Sequence, residues 1–72
     1  MPSIDIQVLE DVFTSEEKAE IIRRVTDAFG SVAGETIKKG TSVRIHEVQS
    51  GSWGWGGQVL TTANAKSMRR EE

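Results

Sequence analysis

Residues 3–48 read SIDIQVLEDVFTSEEKAEIIRRVTDAFGSVAGETIKKGTSVRIHEV, and the changes of hydrophobic period along this stretch decide the fold. From Ser3 to Leu9 the apolar residues alternate, with Ile4, Ile6 and Val8 on one face and Ser3, Asp5 and Gln7 on the other. That period of two belongs to a half-buried strand. Thr14 followed by Glu17 three residues later is a capping box, in which each side chain satisfies a backbone N–H left free at a helix start. From near Ser15 to near Ala33, Ile21, Ile22, Val25, Ala28, Phe29 and Val32 recur at spacings of three and four, leaving Glu16, Glu20, Arg23, Arg24 and Asp27 to the polar side. Gly34 is placed to end the helix. Alternation returns between Thr41 and Val48, with Val43 and Ile45 on one face and Arg44 and His46 on the other. Two strands joined through a helix of about five turns cannot form a hairpin, so the pattern predicts an α/β chain built as β-α-β, with parallel strands and one crossover helix.

Working outward, Glu35 to Gly40 reads as a polar connection. Ser50-Gly51-Ser52-Trp53-Gly54-Trp55-Gly56-Gly57 is glycine-rich, and Val59-Leu60 follows before a polar end over about 63–72 that is expected to fray. Glycines joining a strand to a helix often cradle phosphate. No helix pattern is evident after this segment, so Gly54, Gly56 and Gly57 are assigned to a tight turn, and Trp53 and Trp55 to packing at a subunit contact.

The chain has 72 residues, 36% hydrophobic, which allows a single domain over 1–72 with a small core. There is no cysteine, hence no disulfide staple and no thiol chemistry. Two strands and one helix also leave a sheet face and both sheet edges uncovered. Oligomerisation is the remaining way to bury them. Nine Lys and Arg stand against eleven Asp and Glu, and a net charge of -2 makes no field that attracts nucleic acid. No apolar run approaches the roughly 18 residues that span a bilayer, and the first residues lack the pattern of a signal peptide. A soluble, cytoplasmic protein with no nucleic-acid or membrane partner is expected. With one His and no metal-ligand spacing, neither a metal nor a cofactor is expected.

Pro2 is chemically the unusual position. An initiator methionine is generally removed when proline follows it, which would leave a secondary amine at the amino terminus. An α-amino group titrates near about 8, closer to neutrality than lysine, and desolvation or a neighbouring cation lowers it further. Such an amine can serve as a general base. Proline in second place is common in proteins of every kind, so position alone leaves both readings open.

Three features in order resemble the tautomerase superfamily, in its short-chain group typified by 4-oxalocrotonate tautomerase. They are Pro2 opening the strand Ile4-Asp5-Ile6-Gln7-Val8-Leu9-Glu10, the helix Ser15-Glu16-Glu17-Lys18 through Ile21-Ile22-Arg23-Arg24-Val25, and Glu47-Val48 through Trp53-Gly54-Trp55-Gly56-Gly57. The match spans roughly residues 2 to 60. It implies a β-α-β subunit closing in a short turn or hairpin, assembled as dimers into a homo- or heterohexamer of related short chains. It implies that Pro2 is the catalytic base, that Arg44 binds substrate, and that Trp53 keeps the site apolar. The implied reaction is ketonisation or isomerisation of small unsaturated 2-hydroxy (di)carboxylates such as 2-hydroxymuconate, as in aromatic catabolism.

The chain departs from the family where tautomerases commonly carry an arginine after the first strand. Here the turn is Asp11-Val12-Phe13. The arginine of strand two corresponds to Arg44 when matched from Ser-Val-Arg, and lies two residues off when counted back from Glu47. Both alignments keep the same strand face. The absent arginine has three explanations: a related partner chain that supplies it in a heterohexamer, a haloacrylate dehalogenase-like hydration using Glu47 or Glu10, or a noncatalytic subunit. His46 shares the Arg44 face and is read as hydrogen-bonded or exposed.

Overall fold

The first strand, β1 (Ser3–Leu9), lies parallel to β2 (Ser42–Val48) in the computed structural model, which describes residues 1–70. The register pairs Asp5 with Arg44 and Gln7 with His46. Between the strands runs α1 (Ser15–Ala33), lying against β2 and tied to it by a Lys18 Nζ–Glu47 Oε2 pair at 3.4 Å. The capping box is formed in full: the Glu17 amide donates to Thr14 Oγ1 at 3.1 Å and the Thr14 amide donates to Glu17 Oε1 at 2.9 Å. On the polar side of α1 both Arg23 and Arg24 pair with Glu20, at helical spacing, while Asp27 pairs with Lys38.

The stretch read as a polar connection contains a short helix, α2 (Glu35–Lys39). Its five residues carry too little apolar pattern to show helical periodicity. Gly34 separates the two helices at φ 102°, ψ 161°, a conformation open to glycine and strained for any side chain.

After β2 comes a two-stranded antiparallel hairpin, β3 (Trp53–Trp55) and β4 (Gln58–Leu60). Gly56 and Gly57 turn it with φ of 57° and 86°. Two consecutive positive φ values match the right-handed twist of the flanking strands, which is why the turn takes two glycines. The expected tight turn is therefore present.

The expectation of a flexible end over 63–72 is corrected by α3 (Thr62–Arg70); Glu71 and Glu72 lie outside the described residues. Thr61 and Asn64 start this helix reciprocally. The Asn64 amide donates to Thr61 Oγ1 at 3.2 Å, and the Thr61 amide donates to Asn64 Oδ1 at 2.9 Å. Tertiary contacts then hold it: Thr62 Oγ1 donates to the Glu10 carbonyl at 2.7 Å and the Thr62 amide donates to Ser50 Oγ at 2.9 Å.

Only Leu9 and Val12 among the described apolar side chains are buried. The inward residues Ile4, Ile6, Val8, Val43 and Ile45 are half-buried, and the outer sheet face, Ser3, Asp5, Gln7, Arg44 and His46, is exposed. Val32 is 91% exposed and Trp55 76%. The radius of gyration is 14.5 Å. A compact chain of this length has about 11 Å. The subunit is thus elongated, 41 × 23 × 18 Å, with its apolar surface spread out instead of gathered.

Candidate active site

Pro2 is half-buried at the amino end of β1, where its carbonyl accepts a hydrogen bond from the Ser42 amide at 3.0 Å. That bond extends the β1–β2 pairing and fixes the proline relative to β2. Met1 before it is 97% exposed.

Arg44 lies on the outer face and reaches back toward this end of the sheet. Its Nη1 donates to Ser3 Oγ at 3.0 Å and to Ser42 Oγ at 2.9 Å, and its Nη2 donates to Ser3 Oγ at 2.9 Å. Its Nε is 3.6 Å from Asp5 Oδ1, which also faces His46 Nε2 at 3.2 Å. The two hydroxyls orient the guanidinium while leaving its charge available, since among the described residues only Asp5 offsets it. A half-exposed arginine whose guanidinium is held at Ser3, the residue next to Pro2, is suited to receive an anion at that end of the sheet.

Trp53 is elsewhere. It starts β3 and lines a cavity of about 300 Å³ with Gln7, Leu9, Val12, Phe13 and Met68. This cavity is at the carboxyl end of β1. At about 3.3 Å per residue the strand carries the chain roughly 23 Å from Pro2 to Leu9. The structure therefore brings Pro2 and Arg44 to one end of the sheet and places Trp53 at the other. Within one chain the three do not meet.

The turn after β1 has no arginine of its own, and Asp11 there adopts φ 60°. A cation nevertheless stands at this turn. Arg69 of α3 donates through Nη1 to the Val12 carbonyl at 3.0 Å, pairs through Nη2 with Glu17 Oε2 at 2.7 Å, and lies over the Phe13 ring at 4.7 Å. The Arg69 hydrogen bond, reinforced by the Thr14 amide, pulls the Glu17 carboxyl down to about 2. The same pairing pushes Arg69 up. Sequence reading assigns Arg69 to a fraying end; the signals that mark its helix are Thr61-x-x-Asn64 and the apolar Ala65 and Met68 at helical spacing.

Among the described residues, no three of His, Cys, Asp and Glu gather as a metal site. No described helix is long and apolar enough to cross a membrane.

Residues 2–63 match the family model described as tautomerase enzyme. The chain belongs to the tautomerase family. A curated relative, "Probable tautomerase K2" of Dickeya dadantii (strain 3937), is 34% identical over 61 residues, covering 85% of this chain and 90% of its own length. Among solved structures, one of the 4-oxalocrotonate tautomerase isozymes from Methylibium petroleiphilum superposes with a TM-score of 0.70 at 34% identity, over 81% of this chain and 90% of that one. DmpI from Helicobacter pylori gives 0.71 at 27% identity, over 99% and 98% of the two chains. The tautomerase match begins at Pro2 and includes Arg44, Trp53 and the hairpin, but ends at residue 63, so most of α3 lies beyond it.

Proposed function

We propose that this chain is a catalytic tautomerase subunit that ketonises or isomerises small unsaturated 2-hydroxy (di)carboxylates such as 2-hydroxymuconate. Pro2, freed by removal of Met1, is the general base. Its neutral amine takes the enol hydroxyl proton as the O–H electron pair forms the carbonyl; the double bonds shift and the resulting ammonium returns the proton to the third or fifth carbon of the open conjugated chain. Arg44 holds a carboxylate. Trp53 closes an apolar wall that excludes water and favours the uncharged amine.

One observation carries the assembly part of this reading: Pro2 and Arg44 lie at one end of the sheet and Trp53 at the other, so a complete site needs more than one copy. The exposed outer face of the sheet and the sparse core support the same arrangement, with dimers stacking into a hexamer.

The decisive experiment compares chains with and without Met1, obtained by expression with methionine aminopeptidase active or inhibited. An amide nitrogen in place of the amine has no basic lone pair. General-base catalysis is worth about 10²–10⁴-fold, so retention of Met1 should lower kcat by that factor while native mass spectrometry finds the same oligomer. Unchanged turnover with Met1 in place rejects Pro2 as the base. A second reading, a site-sharing or noncatalytic partner in a heterohexamer, is favoured by the turn Asp11-Val12-Phe13; it expects an inactive homomer that gains activity on mixing with a related chain.

A further inference from the structure

The 300 Å³ cavity at the carboxyl end of β1 has a wall made of Val8, Leu9, Val12, Trp53, Leu60 and Met68, with one cation, Arg69, in its lining. The volume lies at the small end of ligand sites, about 300–1,000 Å³. Arg69 is not a loose surface side chain. The Val12 carbonyl, the Glu17 carboxylate and the Phe13 ring fix three sides of its guanidinium, and among the described residues its Nε–H has no protein acceptor. A guanidinium held this rigidly beside an apolar wall has little freedom left to lose when a carboxylate arrives at its Nε–H. Glu17 offsets the Arg69 charge at the rim of the cavity.

We infer that Arg69 is the carboxylate-binding residue of this cavity, brought by α3 to a turn whose own residues carry no cation. The ligand class is a small apolar-bodied acid, with one carboxylate on Arg69 and the conjugated chain along Trp53. This inference rests on the tautomerase reading for its substrate. It does not rest on Pro2 being the base.

The test uses the full-length assembly with Arg69→Ala, Arg69→Lys and Glu17→Gln. Gln at position 17 keeps the capping box, because an amide oxygen also accepts from the Thr14 amide. Arg69→Ala should raise KM for 2-hydroxymuconate at least tenfold with kcat changed less than threefold, and Arg69→Lys should recover part of the loss, since it keeps the charge and gives up the fork. Glu17→Gln removes a competing carboxylate and should leave KM at or below the wild-type value. If Arg69 serves only to latch α3, both Arg69→Ala and Glu17→Gln break the latch and raise KM together; that outcome, or an unchanged KM in Arg69→Ala, overturns the inference.

If the wild-type assembly shows no turnover, the tautomerase substrate reading fails separately. Tryptophan fluorescence titration with cis,cis-muconate, a dicarboxylate lacking the enol hydroxyl, then decides on Arg69. Tenfold weaker binding by Arg69→Ala supports the site; equal binding, or no binding by the wild type, overturns it. Should Arg69→Ala change the oligomer, Arg69→Lys and Glu17→Gln carry both comparisons.

Discussion

Replacing Gly30 by alanine sets two effects of known size against each other. Gly30 lies inside α1, and in an exposed helix interior the change would stabilise by about 1 kcal/mol through helix propensity. Here it is buried against α2. A Cβ at this position would stand 2.6 Å from Cδ and Cγ of Lys38 and 2.7 Å from its Cβ. The outer methylenes can swing away at the cost of the Lys38–Asp27 pair, now 2.9 Å. The Lys38 Cβ cannot move without its backbone, so α2 must shift. Overpacking of this kind costs about 1–3 kcal/mol. The clash wins, and a net loss of about 1 kcal/mol is expected. For a chain of this size that lowers Tm by about 4–8 °C, measured by circular dichroism at one fixed protein concentration, because assembly makes Tm concentration-dependent. Adding Lys38→Ala should not rescue the variant, since alanine retains the offending Cβ. A Tm equal to or above wild type in Gly30→Ala refutes the reasoning, and so does full rescue by the double substitution.

Acid should release α3 in a defined window. The Glu17 carboxyl sits at about 2 when folded against an ordinary 4.5, so its contribution is complete above about pH 4.5 and is lost as pH falls through about 2. Hydrogen exchange should find α3 amides protected at pH 5 and increasingly open below pH 4; opening that begins above pH 5 would be inconsistent with this pairing. Arg44→Ala should raise KM for a dianionic substrate roughly tenfold, with stability changed by less than about 0.5 kcal/mol because the side chain is half-exposed. Unchanged KM and kcat return Arg44 to a solvated strand face. With so little buried apolar surface, Tm should rise with protein concentration. A stable monomer whose Tm ignores dilution rejects assembly as the source of stability.

The β-α-β core was legible because each of its elements repeats one periodicity long enough to be read: seven residues in each strand, nineteen in α1. Local chemistry set the boundaries. Thr14 and Glu17 start α1 through bonds between residues three apart, and Gly56-Gly57 makes the hairpin turn through its own backbone freedom. The parity of the strands places Arg44 and His46 with Asp5 on the outer face, since side chains alternate whatever surrounds them. The tautomerase resemblance rests on these same residues, in order.

Tertiary structure decided the rest. Helix α3 is short and polar, and it is held by groups far along the chain: Glu10, Ser50, Val12 and Glu17. No local pattern announces such bonds. The distance between Pro2 and Trp53 is likewise a property of the folded sheet, as is the arrival of Arg69 at a turn 57 positions earlier in the chain. Sequence by itself determines which backbone conformations each segment prefers, because those preferences are set by near neighbours. Which side chains share a cavity depends on how the segments pack, and packing joins residues that the sequence keeps apart.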